Sequence, residues 1–432
     1  MKRSLIPILS LLAVTASLHA GAARLETVVR TDHTNALYRC GERATFTVSV
    51  SDGAALVRTG TVSVVLDDFG TNVLVTRTFD LSQANPLAVS GMRSTPGFLR
   101  LKVSGAGEAK VWGVGYEPGR IRAVTPCPAD FDAFWANARA RLAAEVPLDP
   151  QVKKIAERCT PAFDFYRISF ATFGRRVHGY MSVPTDAVRG PFPLELQISA
   201  AGFGGWTNDM QGEPDRIRVF FGVYPFEPDW KWATSGLKAT YEEMDRVLRS
   251  RYACSSYATA GAGVSREAYF FYPVILGIDR AVDWLAARPD VDRRRFCYHG
   301  VSQGGGLGLA LTALNGNITR ATFAVPALTD TLAGQAGRQS GWPQPVESQR
   351  QAGAKAVAAA VMPYFDATCF AARITCPVRF AVGFADVTCP PHCTYAAFNA
   401  LASEDKDLVY GIGMGHTCWP RYSKALSEWL RK

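Results

Sequence analysis

The chain has 432 residues, 48% apolar and 20% charged, with a formal net charge of +9. That balance excludes a disordered chain, and the lack of any short repeat or sustained heptad excludes fibrous and coiled-coil architectures. The positive charge is spread out apart from Arg293-Arg294-Arg295, so it points to solubility and not to a nucleic-acid interface.

Lys2 and Arg3 precede the apolar run Leu5–Ala16, and small residues follow through Ala23, with Ala20-Gly21-Ala22 as a cleavage signal. This pattern predicts a secretory leader over residues 1–22 and a periplasmic or secreted mature protein. The run is too short to span a bilayer comfortably, so no membrane association is expected once the leader is removed. Ten Cys remain after it, an even number that an oxidising compartment would allow to pair. None has zinc-ligand spacing with matching histidines, so no metal is expected.

Residues 23–122 predict a small all-β unit of immunoglobulin-like sandwich type. Ala44–Val50, Gly60–Leu66, Val73–Phe79 and Phe98–Val103 alternate or are β-branched, and turn pieces such as Asp52-Gly53 separate them. It carries no catalytic cluster and reads as an accessory domain.

Residues 123–432 change pattern. Phe131, Phe134, Trp135, Ala138 and Leu142 recur at helical spacing, and Val146-Pro147 closes that helix. Strands are predicted at 165–170, 177–183, 194–199, 295–299, 321–325, 378–383 and 407–412, with helices at 273–287, 303–314, 394–402 and 420–431. Such alternation predicts an α/β domain with a mostly parallel sheet.

The sharpest chemical signal is Gly300-Val301-Ser302-Gln303-Gly304-Gly305, because it follows a strand and opens an apolar helix. A turn of that kind presents the Ser302 hydroxyl above the sheet as a nucleophile. A serine nucleophile needs a base, and the base needs an orienting acid, in the chain order Ser, acid, His on this architecture. His416, in the loop after the strand ending near Ile412, is the expected base; His392, after Pro390-Pro391, is expected to be a cap or surface residue. Asp386, at the end of the strand Val378–Gly383, is the expected acid, with Asp366, Asp405 and Asp407 as competitors. Oxyanion donors are expected from the backbone N–H of Gln303 and of Phe203, the latter in Gly202-Phe203-Gly204 after an earlier strand. Aromatic residues crowd the stretch between that loop and Ser302, including Trp206, Tyr224, Trp230, Trp232, Tyr241 and Tyr257. They suit packing or the stacking of sugar rings.

Residues 127–432 resemble carbohydrate esterase family 7, the acetyl xylan esterase and cephalosporin C deacetylase group. The matching stretches are Phe131-Asp132-Ala133-Phe134-Trp135, Gly300 through Gly305, Cys376-Pro377-Val378, Gly383 through Pro391 and Gly415-His416. The resemblance implies an α/β-hydrolase fold and deacetylation of an acetylated carbohydrate without cofactor. It assigns nucleophile, acid and base to Ser302, Asp386 and His416, sets Gly202-Phe203 on the family's Gly-Tyr oxyanion loop, and is compatible with a homo-oligomer. The chain departs from the family in lacking an Arg-Gly-Gln motif, with Phe221-Gly222-Val223 nearest in position, and in having Thr417 where Glu is usual. The alternatives are a serine peptidase of prolyl oligopeptidase type and a non-catalytic glycan-binding protein. Cys389 and Cys418 lie close in sequence to Asp386 and His416, which suggests a disulfide bracing the acid and base loops.

Overall fold

Strict alternation builds the N-terminal strands. In Arg43–Asp52 the residues Ala44, Phe46, Val48 and Val50 are buried while their neighbours face outward, and Thr61–Asp67 buries Val62, Val64 and Leu66 in the same way. The structure, a computed structural model, describes residues 25–70, 72–105, 107–203, 210–229, 231, 236–416 and 419–431. The expected leader and Gly204, Trp206, Trp230, Trp232, Thr417 and Cys418 lie outside these residues.

One N-terminal sheet joins Glu26–Thr31, Arg43–Asp52, Ala55–Leu56 and Leu87–Met92; the other runs Leu37–Tyr38, Lys110–Tyr116, Gly97–Ser104, Thr61–Asp67, Val73–Asp80. Their inward residues form one apolar cluster, which also takes in Val382, Phe384, Tyr395 and Ala396 from late in the chain. Phe98 meets Phe384 edge-on at 5.0 Å, and the Asn399 amide donates to Pro118 O and Ile121 O, both at 2.9 Å. The two N-terminal sheets are therefore packed onto the remainder through a continuous core.

The remainder is a nine-stranded sheet, in spatial order Gln151–Lys154, Phe163–Thr172, Arg175–Pro184, Ile217–Phe221, Phe192–Ile198, Val291–Val301, Arg320–Ala324, Val378–Gly383 and Lys406–Gly411. The last six strands in that order pair parallel and the first three antiparallel. Helices Phe131–Glu145, Phe271–Ala286, Gln303–Leu314 and Pro391–Ala400 pack around it. The helix Phe131–Glu145 buries Phe131, Trp135, Ala138 and Leu142, the stripe its spacing predicts. No helix of the described residues is long and apolar enough to cross a membrane.

Three histidines are buried away from the site. Loss of water holds His178 and His299 down to about 4 and His392 to about 3. His392 is a correction: it is enclosed, not at the surface, and its Nε2 donates to Gln339 O at 2.8 Å, because the Pro390-Pro391 start aims it inward against Phe69. In the unfolded chain these rings accept protons near pH 6.5, while the folded chain keeps them neutral. As pH falls from 7 to 5 the unfolded state gains protons and folding loses about 2 kcal/mol per histidine. Urea denaturation should show a lower midpoint at pH 5 than at pH 7, with a smaller difference in His392→Gln.

Candidate active site

The strand Val291–Val301 runs straight into the helix Gln303–Leu314, and the chain reverses at a single residue, Ser302. Ser302 has φ 54° and ψ −119°, a conformation that costs a non-glycine residue of order 1–3 kcal/mol and persists only when its surroundings hold it. They do so here: its N–H donates to Ala324 O at 2.9 Å, and its carbonyl accepts from Gly306 N and Ala327 N at 3.1 and 2.9 Å. Close backbone approach at Gly304 completes the turn, since a Cβ there would fall 2.3 Å from Ile198 O.

Two further strand ends bring the partners. The Val378–Gly383 strand delivers Asp386, fully buried, whose Oδ1 accepts from Thr388 N at 2.8 Å and Cys389 N at 2.9 Å. Beyond Lys406–Gly411 the chain crosses over the acid strand, where Ala385 N donates to Met414 O at 2.9 Å, and reaches His416. His416 Nδ1 lies 2.9 Å from Asp386 Oδ2, and its Nε2 lies 2.9 Å from Ser302 Oγ. With the Nδ1–H tautomer the ring donates to the carboxylate and accepts from the hydroxyl, the arrangement that a serine nucleophile, its base and an orienting acid require.

The other candidates serve elsewhere. Asp366 is buried and accepts from Asp330 N, Thr331 N, Thr331 Oγ1, Thr368 N and Thr368 Oγ1, all within 3.1 Å, so it fastens two loops and caps a short helix. Asp405 pairs with Arg379 at 2.7 Å, and Asp407 is exposed at the start of the last strand.

The two segments expected to supply the oxyanion donors are held together by a network that the sequence alone did not single out. The Gln303 side chain donates to Ser199 O and Ala200 O at 3.1 and 3.3 Å and accepts from Tyr257 Oη at 2.8 Å. Tyr257 Oη in turn accepts from Gly202 N at 3.2 Å and from Tyr224 Oη at 3.4 Å. One phenol, fully enclosed and held protonated by burial, thus ties the residue after Ser302 to the Gly202-Phe203 turn. Nothing in the spacing of an aromatic-rich stretch marks Tyr257 out from its neighbours. Tyr257→Phe strips Gln303 Oε1 and Gly202 N–H of their partner and should lower kcat about tenfold with little change in KM, checked by steady-state kinetics on a small acetate ester.

Comparison with known proteins gives the family. The family described as acetyl xylan esterase matches residues 119–432. The acetyl esterase Axe7A of Xylanibacter ruminicola is 29% identical over 412 residues, covering 93% of this chain and 89% of that protein. Among solved structures, the acetyl xylan esterase from Paenibacillus sp. R4 aligns with a TM-score of 0.58 at 23% identity, over 73% of this chain and 98% of that one. Acetyl xylan esterase 1 from Thermoanaerobacterium sp. JW/SL YS485 aligns at 0.56 and 19%, with the same coverage. The chain belongs to the acetyl xylan esterase family and is a serine carboxylic-ester hydrolase of α/β-hydrolase type.

Proposed function

We propose that this enzyme is exported and removes acetyl groups from acetylated polysaccharide or its oligosaccharides through a Ser302–His416–Asp386 triad. In this reading residues 1–22 are a leader, 23–122 a β-sandwich unit and 123–432 the catalytic unit. The observation that carries it is the unbroken chain of two 2.9 Å contacts from Ser302 Oγ through His416 to the buried Asp386 carboxylate.

The steps follow from that chain. Ser302 Oγ attacks the acetyl carbonyl carbon while its proton passes to His416 Nε2, and Asp386 stabilises the imidazolium through Nδ1–H. The carbonyl oxygen becomes an oxyanion held by the N–H groups of Gln303 and Phe203, at the positive end of the helix Gln303–Leu314. Collapse breaks the bond to the sugar oxygen, which takes the proton from His416, and leaves Ser302 acetylated. Water, deprotonated by His416, then releases acetate by the same path.

Acetate release from acetylated xylan and turnover of para-nitrophenyl acetate, measured for wild type and Ser302→Ala, test this reading. Ser302-dependent release from both is expected. Turnover of the small ester alone would remove the polysaccharide as substrate, and no Ser302-dependent turnover of either would remove the mechanism.

A further inference from the structure

The family match begins at residue 119, after the last N-terminal strand, yet that strand is built against the acid and base loops. The Trp112 ring lies flush on Gly413, where a Cβ would fall 2.3 Å from Cζ3, and a Cβ on Gly113 would fall 1.9 Å from Phe384 O. Between Lys110–Tyr116, Glu26–Thr31 and the two loops runs a groove of about 460 Å³ lined by Val28, Lys110, Trp112, Ala385, Val387 and Gly415. Ala385 and Val387 are the chain neighbours of Asp386, and Gly415 that of His416, so the groove borders the two loops that carry the acid and the base. A second hollow of about 530 Å³ shares Thr27, Glu108 and Lys110 with it and extends to Leu25 and Gly107, so the two adjoin along these strands and together form a trough.

The lining has a particular chemistry. Trp112 is half-buried and gives the trough an aromatic surface; Val28 and Val387 extend it, and the Lys110–Glu108 pair at 2.8 Å gives a polar rim. A pyranose ring has the same division, with an apolar C–H face and hydroxyls around its edge, and aromatic faces suit the former. The volume lies within the range of roughly 300–1,000 Å³ usual for ligand sites, which favour boundaries between packed units. Two adjoining hollows suit successive units of a linear chain.

We propose that this trough is a glycan-chain subsite, built jointly by the N-terminal sheets and the acid and base loops, in which sugar residues next to the acetylated one lie along Trp112. The proposal rests on the deacetylase reading and extends it from the acetyl group to the polymer. It gives the N-terminal region a role in choosing oligomer over monomer.

The test compares kcat/KM on acetylated xylo-oligosaccharides with that on acetylated xylose and on para-nitrophenyl acetate, for wild type, Trp112→Ala and Val28→Trp. Loss of one stacking platform should lower the oligosaccharide-to-monomer ratio about tenfold, mainly through KM. Val28→Trp, which fills the trough from the opposite strand, should lower the same ratio and keeps the test open should Trp112→Ala fold poorly. Equal losses on all three substrates would show Trp112 to be only a brace for the His416 loop and would overturn the subsite. An unchanged ratio in both variants would overturn it as well while leaving the deacetylase reading intact. Failure of wild type on the oligosaccharides, with para-nitrophenyl acetate still turned over, would overturn both.

Discussion

Ser302→Ala is expected to lower kcat/KM for para-nitrophenyl acetate by about 10⁴-fold or more, with the unfolding midpoint close to that of wild type. In the proposed mechanism Ser302 Oγ forms the bond to the acetyl carbon, so its loss leaves only substrate binding and the oxyanion donors. Stability should hold because the backbone at 302 is fixed by Ala324, Gly306 and Ala327 and not by Oγ, whose contact is with His416 Nε2. Steady-state kinetics beside a thermal melt check both halves. Retention of more than a few per cent of the activity would move the nucleophile elsewhere.

The second large effect is at the acid. Asp386→Asn should lower kcat by about 10³–10⁴ with KM little changed. The structure says why the isosteric change is so costly. Oδ1 receives two backbone N–H groups, from Thr388 and Cys389, so an asparagine must place its carbonyl oxygen there and turn its NH₂ towards His416. The imidazole Nδ1 then accepts instead of donating, its proton sits on Nε2, and the ring can no longer take the proton from Ser302. Asp366→Asn is the matched control: it should cost stability, through the five donors it leaves in part unmatched, without this loss of kcat in the folded enzyme.

What could be read from the sequence follows a physical pattern. The helix Gln303–Leu314 and the strand Val378–Gly383 match their expected limits residue for residue, because each is a dense apolar run bounded by Gly or polar punctuation. Ser302, Asp386 and His416 could be chosen because each follows the end of a strand at the same edge of the sheet. Elements whose stabilisation is not local were missed. Gln151–Lys154 is an exposed edge strand of sequence QVKK with no buried side chain and shows no core pattern, whereas the helix Leu237–Tyr252 does carry a stripe, Leu237, Tyr241, Met244, Leu248 and Tyr252, that packs half-buried against the core, masked in sequence by the charged residues between them. Ile217–Phe221 also went unread, hidden in a long aromatic stretch. Contacts across large separations were invisible for the same reason: Tyr257 meets Gln303 only through the fold, and Trp112 reaches Gly413 across some three hundred residues.

The central claim is that catalysis passes through an acetyl group carried on Ser302. The most direct measurement is acid quenching of the enzyme during turnover of para-nitrophenyl acetate, followed by peptide mass spectrometry. The account predicts an acetyl group on the peptide containing Ser302, absent from Ser302→Ala and formed far more slowly in His416→Ala, which lacks the base for the attack. Turnover with no acylated Ser302, or an acetyl group that persists on another residue in Ser302→Ala, would contradict it.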